Sequence, residues 1–340
     1  MFEKQTKIPD PEQILKEIPL PEKLRAVKIA RDKLVSEVIT GESDKLLLIV
    51  GPCSAHEAAP VLEYVEKLGR LNEKVKDKLV LVPRIYTNKP RTRGVGYKGM
   101  FSQPDPTKSE NIKKGICAIR ELNIKAIEAS GLSAADEMLY PANIHYVEDL
   151  LSYIAVGARS SENQLHRLVA SGIDVPVGIK NPMSGSLLVL LNSVYAAQSG
   201  QVFKLNDWQV KTNGNPLAHS ILRGAVDGNG NDIPNFHYET VMRVAEGYAA
   251  SGLSNPAVII DANHSNSSKQ FKQQIRICRE VMQNRMCDKG FRRIVKGFMI
   301  ESFLVEGCQT EDKIFGKSIT DPCLGWEDTE RLILDIAEQA

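Results

Sequence analysis

Short runs of apolar and β-branched residues recur along the chain and are separated by longer amphipathic segments. The eight runs are LLLIV (46–50), LVLVPRIY (79–86), KAIEAS (125–130), YIAVGA (153–158), VPVGIK (175–180), HSILRG (219–224), AVIIDA (257–262) and GFMIES (297–302). The runs are continuous rather than alternating in polarity, which is typical of parallel strands covered on both faces. Between the first two runs, Val61, Val65 and Leu68 lie on one stripe of a predicted helix.

Eight strand–helix units over about 290 residues predict a (β/α)8 TIM barrel. A doubly wound open sheet is the alternative fold, but it normally has fewer strands. Residues 200–216 interrupt the alternation, and we interpret them as a β-hairpin inserted before the sixth strand. Residues 1–45 are charged and punctuated by proline, so we expect an N-terminal extension, an oligomer or regulatory arm, ahead of a catalytic barrel at 46–340.

Composition restricts the class of protein. The formal net charge of +1 gives no reason to expect nucleic acid or an acidic membrane as a partner. No apolar run approaches the roughly 20 residues of a transmembrane helix, and the first residues lack the apolar stretch of a secretory signal. Six cysteines without clustered spacing do not resemble a disulfide framework, so we expect a cytoplasmic protein.

Cations are concentrated where the predicted strands end, the region from which barrel enzymes build their active sites. They are Arg84, Lys89, Arg91, Lys98, Arg159, Lys180 and Arg223. A single arginine after a strand is more often part of a surface ion pair. So many cations around one barrel mouth would repel one another unless anions bind there, and guanidinium groups match phosphate and carboxylate oxygens. The pattern therefore predicts one or two phosphorylated substrates that carry a carboxylate.

Four other strand ends supply Cys53, His264, Glu301 and Asp321. A thiolate, an imidazole and two carboxylates suit Mn²⁺, Fe²⁺, Co²⁺ or Zn²⁺ better than Mg²⁺ or Ca²⁺. Taken alone, Cys53 is equally compatible with a small buried hydrophobe or with a nucleophile that His264 activates. Lys180 is a conceivable Schiff-base lysine. The agreement of four potential ligands on one barrel face favours a metal site.

With these residues in view, the sequence resembles the class I 3-deoxy-D-arabino-heptulosonate 7-phosphate (DAHP) synthases. The matching segments are GPCS, KPRT with GYKG, GARSSENQLHR, PVGIKN, HSILRG, NHSNSSKQ, MIES and GKSITD with GWED, in this order along residues 46–328. The resemblance implies a metal-dependent barrel enzyme that condenses phosphoenolpyruvate with erythrose 4-phosphate and releases phosphate. This reaction is the first step of the shikimate pathway of aromatic amino acid biosynthesis.

The resemblance also implies roles for individual residues. Cys53, His264, Glu301 and Asp321 would hold one divalent metal ion. Phosphoenolpyruvate would contact Arg84, Lys89, Lys98, Glu137, Ala158, Arg159, Lys180 and Arg223. Erythrose 4-phosphate would contact Lys89, Pro90, Arg91, Thr92 and Asp321. Lys89 and His264 would take part in catalysis.

The sequence departs from the family pattern in several loops. The loop after KPRT is one residue longer than usual, which bears on the assignment of Lys98. Pro182-Met183-Ser184 stands where a GTDG-like turn is common, and Pro322 replaces a small residue after Asp321. The segment between Glu301 and GKSIT is short. None of these departures removes a predicted ligand.

Family resemblance also implies homodimers or homotetramers and feedback inhibition by an aromatic amino acid. Residues 1–45, the insertion at 200–216 and Asp174 are the candidates for this regulation.

Three rival functions compete with a DAHP synthase. The first is the sister enzyme, 3-deoxy-octulosonate 8-phosphate synthase, which uses arabinose 5-phosphate; KPRT argues against it, because that family typically has an ANRSS-like segment there. The second is a Schiff-base aldolase that uses Lys180. The third is a non-catalytic sensor of aromatic amino acids, which would have no need of the metal ligands and the cations.

Overall fold

Eight parallel strands form one sheet that closes into a barrel in the computed structural model, which describes residues 1–91, 93–310 and 314–340. The barrel strands are β1 (Leu46–Gly51), β2 (Leu79–Pro83), β3 (Ala134–Glu137), β4 (Leu151–Val156), β5 (Val177–Lys180), β6 (His219–Leu222), β7 (Val258–Asp261) and β8 (Val295–Glu301). Each strand from β2 to β7 follows its predecessor around the barrel, and β8 lies between β7 and β1. The sheet closes where the Ile85 amide donates to the Ala135 carbonyl at 2.9 Å. The predicted barrel is therefore confirmed.

Helices cover the outside of the barrel. They are α1 (Pro11–Glu17), α2 (Glu22–Thr40), α3 (Ala58–Val75), α4 (Ile112–Ser130), α5 (Gln164–Ala170), α6 (Leu187–Gln198), α7 (Tyr238–Ser251), α8 (Gln273–Cys287), α9 (Lys289–Ile294) and α10 (Trp326–Gln339). Short 3₁₀ turns occupy Pro141–Tyr146, Glu148–Leu150 and His264–Asn266. Two-residue strands Ala225–Val226 and Asp232–Ile233 pair with each other, and Val305–Cys308 pairs with Lys317–Ser318. No helix in these three described ranges is long and apolar enough to cross a lipid bilayer.

Both faces of the barrel strands are buried, which explains their continuous apolar runs. In β1, Leu47 and Ile49 belong to the cluster inside the barrel, whereas Leu46, Leu48 and Val50 belong to the cluster beneath the outer helices. Successive residues of a strand point to opposite faces, so both halves of the run are apolar.

Helix α2 closes the amino-terminal end of the barrel. Its residues Val35, Val38 and Ile39 are fully buried and belong to the same cluster as the inward-facing Leu47 and Ile49. This part of the predicted extension therefore shares the core of the barrel. The assignment of residues 1–45 to oligomer or regulatory contacts stays a prediction.

The insertion before the sixth strand is a β-hairpin, as predicted, with strands Val202–Leu205 and Trp208–Lys211. The prediction of a third strand at 125–130 was wrong. Those residues complete α4, whose buried positions recur with helical spacing through Ile119, Asn123 and Ala126. The true third strand, Ala134–Glu137, contains no β-branched or aromatic residue, so its sequence gives little β signal.

Gly297 allows the first and last strands to approach closely. A Cβ atom at Gly297 would lie 1.8 Å from the Leu47 carbonyl oxygen, so backbone would have to move. We expect Gly297→Ala to lower the free energy of unfolding by about 2 kcal/mol or more, seen as a lower Tm in thermal unfolding. Gly228→Ala, at an exposed position with nothing within 4 Å, is the matched control. An equal Tm for both variants would contradict the close approach.

Candidate active site

The carboxyl ends of the barrel strands surround a cavity of about 240 Å³, which we call the mouth cavity. Most of the residues predicted from the sequence line it: Cys53, Arg84, Lys89, Pro90, Arg91, Glu137, Ala158, Arg159, Lys180, Arg223, His264 and Asp321. Glu301 is buried next to the lining residue Arg84. The fold thus brings to one place side chains that are scattered over 268 positions of the chain, from Cys53 to Asp321.

Three predicted metal ligands form a compact group. One donor atom each of Cys53, Glu301 and Asp321 lie within 4.8 Å of one another. His264 borders this group, with its Nε2 atom 3.7 Å from Glu301 Oε1. Burial, together with the charge of Glu301, raises the pKa of the Cys53 thiol. A divalent cation would stabilise such a cluster of soft and hard anionic donors.

Lys89 supplies positive charge to the same group. Its Nζ atom lies 2.5 Å from Cys53 Sγ and 3.2 Å from Asp321 Oδ2. Burial disfavours the ammonium form, but the charges of Cys53 and Asp321 outweigh burial and hold the pKa of Lys89 above its ordinary value. Lys269 approaches the other oxygen of Asp321 at 3.0 Å. Lys89 is therefore an ammonium ion at neutral pH, located at the junction of the metal ligands and the cavity.

Arg84 and Glu301 form a buried ion pair beside this group. Arg84 Nη2 lies 2.9 Å from Glu301 Oε1, and both side chains are at most 2% exposed. Arg84 also donates to the Pro52 carbonyl and stacks 3.7 Å from the centre of the Tyr86 ring. Asn263 donates to the second oxygen of Glu301 at 2.7 Å. These contacts fix the Glu301 carboxylate in one orientation.

Asp261 holds His264 and Lys180. Its Oδ2 atom lies 2.8 Å from His264 Nδ1 and 3.1 Å from Lys180 Nζ. Burial disfavours its ionisation, but His264 and Lys180 outweigh burial and keep the pKa of Asp261 well below its usual range. A carboxylate beside Nδ1 favours the tautomer protonated there, which leaves the Nε2 lone pair for a ligand.

The opposite side of the mouth cavity carries cations without acidic partners. Among the described residues, neither Arg159 nor Arg223 forms an ion pair, and Arg223 donates to Ser265 Oγ at 3.0 Å. Burial lowers the pKa of Arg223, and the nearby Arg159 guanidinium adds to this effect. Gly157 leaves room for Glu137, since a Cβ atom there would lie 2.5 Å from its carboxylate.

Not every predicted residue reaches the cavity. Lys98 is half-exposed and pairs with Glu110 at 2.6 Å, outside the mouth cavity. The lengthened loop folds back instead, with the Lys89 amide donating to the Lys98 carbonyl at 3.1 Å. Thr92 lies outside the described residues. Of the three unusual residues after Asn181, Met183 lines the cavity.

Lys269, Asp261 and Asn263 were missed from the sequence, although they lie in or beside the segment that was singled out for His264. The sequence could have indicated Asp261, because this residue ends β7, and the functional residues of barrel enzymes follow the ends of the strands. His264 and Lys269 adopt left-handed backbone conformations, with φ of 46° and 59°. Such conformations are uncommon outside glycine, and they concentrate at functional sites.

Together, the fold and the mouth cavity are those of a (β/α)8-barrel enzyme with a candidate Cys/Glu/Asp metal site beside a cluster of anion-binding cations.

Known proteins are similar in sequence to this chain over nearly its whole length. The profile of the DAHP synthetase I family matches residues 20–333. The Phe-sensitive phospho-2-dehydro-3-deoxyheptonate aldolase of Escherichia coli K12 is 39% identical over 337 residues, covering 96% of this chain and 93% of the relative. The Trp-sensitive enzyme of Enterobacter agglomerans is 39% identical over 318 residues, covering 91% and 88%.

A solved structure of phospho-2-dehydro-3-deoxyheptonate aldolase from Francisella tularensis SCHU S4 superimposes with a TM-score of 0.92 at 30% identity, covering 100% of this chain and 98% of that one. The chain therefore belongs to the DAHP synthetase I family. The resemblance found in the sequence motifs is confirmed.

The Arg84–Glu301 pair generates a prediction about stability. Arg84→Met leaves the Glu301 carboxylate buried without its cation, so we expect the free energy of unfolding to fall by about 3–5 kcal/mol. The double variant Arg84→Met/Glu301→Gln removes both charges and should recover part of this loss. Chemical denaturation of Arg84→Met, Glu301→Gln and the double variant beside the wild type measures the difference. A double variant that is destabilised by the sum of the single effects would contradict the pairing.

Proposed function

We propose that this DAHP synthase condenses phosphoenolpyruvate with erythrose 4-phosphate in the mouth cavity and releases inorganic phosphate. The observation that carries the proposal is the juxtaposition of two unlike groups in one cavity. A thiol–carboxylate cluster lies on one side, and unpaired guanidinium groups lie on the other. The first group suits a Lewis-acidic metal, and the second suits phosphate and carboxylate.

The donor set fits a divalent metal ion. Cys53, Glu301 and Asp321 already converge within 4.8 Å, and Asp261 favours the His264 tautomer with a free Nε2 lone pair. We therefore assign these four residues, Cys53, His264, Glu301 and Asp321, as ligands of Mn²⁺, Fe²⁺, Co²⁺ or Zn²⁺. When bound, such an ion would supply Lewis acidity to the aldehyde oxygen of erythrose 4-phosphate.

Phosphoenolpyruvate is proposed to bind on the cation side. Arg159 lies close enough to Arg223 to lower its pKa, although burial is the larger cause and Asp261 acts in the opposite direction. Among the described residues, no carboxylate lies within 4.0 Å of either guanidinium. A phosphate group between them would relieve this repulsion. Lys180 extends the positive surface, and the Ala158 backbone lines the cavity beside it. Glu137, beside Gly157, would orient the water that attacks carbon 2.

Erythrose 4-phosphate is proposed to bind at the KPRT segment. Pro90 and Arg91 line the cavity next to Lys89, and Asp321 lies across from them. The Arg91 side chain donates to the Tyr97 carbonyl at 2.8 Å, which orients its guanidinium within the loop. This arrangement would bring the aldehyde end of the sugar phosphate to Lys89 and the metal ligands.

The proposed reaction forms a carbon–carbon bond and, from water, a carbon–oxygen bond at carbon 2, and it breaks the carbon–oxygen bond to the phosphate group. Carbon 3 of phosphoenolpyruvate attacks the aldehyde carbon, whose oxygen gains a proton, while water adds its hydroxyl at carbon 2 and loses a proton. The phosphohemiketal then expels phosphate to give DAHP. The Lys89 ammonium stabilises the negative charge that develops on the aldehyde oxygen. The surrounding cations hold both substrates in reactive geometry.

The proposal extends to regulation of this enzyme by an aromatic amino acid. The relatives' names include Phe-sensitive and Trp-sensitive enzymes. In this chain the inserted hairpin lies against the loop that carries Asp174. Ser171 and Thr212 hydroxyls lie 2.7 Å apart, and Asn215 donates to the Val175 carbonyl at 3.0 Å. We propose that this junction senses the effector, and that residues 1–45 contribute subunit contacts in a homodimer or homotetramer.

Metal-dependent turnover tests the reaction and the ligand assignment together. We expect phosphate release from phosphoenolpyruvate and erythrose 4-phosphate to stop with EDTA and to return with Mn²⁺. Cys53→Ala should lower kcat by about 100-fold or more, because a ligand is lost. Cys278→Ala, the same change at a buried cysteine of α8, is the matched control.

Two results of that experiment would contradict the proposal. Turnover that survives chelation, or an unimpaired Cys53→Ala enzyme, would make Cys53 a structural residue. Turnover with arabinose 5-phosphate in place of erythrose 4-phosphate would assign the chain to the sister enzyme.

Inhibition assays test the regulatory junction. We expect the initial rate to fall with one of phenylalanine, tyrosine and tryptophan. Asp174→Ala should relieve this inhibition without changing the uninhibited rate, because Asp174 is exposed and remote from the mouth cavity. Asp77→Ala removes an exposed carboxylate elsewhere and serves as the control. A rate that none of the three amino acids changes would remove the regulatory proposal.

A further inference from the structure

A second cavity lies at the amino-terminal end of the barrel, opposite the mouth. This basal cavity has a volume of about 410 Å³ and is enclosed by residues 40, 41 and 43–45, Pro256 and residues of the range 285–296. The lining residues between 40 and 45 belong to the connection from α2 to β1, and the range 285–296 contains α9 and the start of β8. Leu47 pairs with Gly297, so the cavity lies where the first and last barrel strands begin side by side.

The lining of the basal cavity is strongly positive. Six of its residues are cations: Lys45, Arg285, Lys289, Arg292, Arg293 and Lys296. Asp44 is the only carboxylate among the described residues that line it. Salt bridges neutralise many cations elsewhere on this protein, but none of these six has an ion-pair partner within 4.0 Å in the described parts of the chain. Such a concentration of like charge is unfavourable unless an anion binds.

Two of these cations are held in place by burial. Arg285 is only 6% exposed and donates to the backbone carbonyls of Arg292 and Val295. Lys296 is half-buried, and its ammonium lies against Gly41, where a Cβ atom would approach Nζ to 3.1 Å. Burial lowers the pKa of Lys296, and Arg285 lowers it further. Asp44 acts against both effects, but among the described residues no carboxylate lies within 4.0 Å of the Lys296 ammonium.

The carboxyl terminus of a helix and the nearby carboxylates do not balance these cations. The carboxyl terminus of α2 ends at Gly41 beside the cavity, but a helix terminus carries only about half an elementary charge. Asp288, the nearest acidic residue along the chain, accepts from the Phe291 amide at 2.6 Å and caps α9. Six cations remain to be balanced by one helix terminus and Asp44.

We infer that the basal cavity binds a small anion with at least two negative charges, of the phosphate type. Arg293 and Lys296 on one wall and Lys45 on the other would contact it together. Such an anion would link the α2–β1 connection to the start of β8, and so would stabilise both the barrel seam and the helix that closes the barrel. The ligand is either free inorganic phosphate or the phosphate group of a metabolite without a carboxylate.

Binding of inorganic phosphate at low ionic strength tests this inference. The wild type should bind one more phosphate per chain than Arg293→Met/Lys296→Met, measured by titration calorimetry, and its Tm should rise more on addition of phosphate. The mouth cavity contributes equally to both proteins, so the difference reports the basal cavity. Lys113→Met/Lys114→Met removes the same charge from the exposed start of α4 and should behave like the wild type. Glycerol 3-phosphate in a parallel titration distinguishes a phosphate ester from the free ion.

A charge reversal keeps the test decisive if the methionine variant folds poorly. Lys296→Glu places a carboxylate among the remaining cations, so it should raise Tm in the absence of phosphate. It should also abolish the additional phosphate binding and the additional rise in Tm that the wild type shows on addition of phosphate. The inference is overturned if the variants at 293 and 296 bind as many phosphate ions as the wild type and gain the same Tm. It is also overturned if Lys296→Glu leaves the phosphate response unchanged.

Discussion

The buried guanidinium of Arg84 is the contact on which the mouth of the barrel depends. Arg84 follows the end of β2, bridges to Ala135 where the sheet closes, and donates to Pro52 after β1 and to Glu301 at the end of β8. It therefore links four strands around the site. An isolated charge at this depth would be very costly, so the burial of Arg84 requires Glu301, and the pairing in turn orients the carboxylate beside Cys53.

Electrostatic compensation is organised differently at the two ends of the barrel. At the mouth, Lys89 and Lys269 neutralise Asp321, while Asp261 neutralises Lys180. Arg159 and Arg223 have no ion-pair partner among the described residues, and we propose that substrate anions bind to them. At the base, the balance is one-sided, with six cations against Asp44. The same rule applies in both places: cations that folding gathers without carboxylates indicate the location of a bound anion.

The proposed metal ligands are supported by a second layer of fixed side chains. Asn263 and Arg84 hold the two oxygens of Glu301, and Asp261 holds Nδ1 of His264. The left-handed backbone at His264 directs its side chain back toward the same group. Such partners matter because a catalytic metal site depends on the orientation of its ligands as much as on their identity.

The sequence by itself determined the barrel, the hairpin and most of the lining of the mouth cavity. Strands buried on both faces must be apolar throughout, and barrel chemistry follows strand ends, so Cys53 and His264 could be placed from local pattern alone. Local pattern failed for Ala134–Glu137, which lacks β-branched residues, and it did not indicate that Lys98 pairs with Glu110. Only the tertiary structure decided the Arg84–Glu301 pair, the closure of the base by α2 and the basal cavity. These depend on barrel closure, which joins residues that are distant in sequence, such as Arg84 and Glu301, 217 positions apart. No local periodicity indicates such contacts.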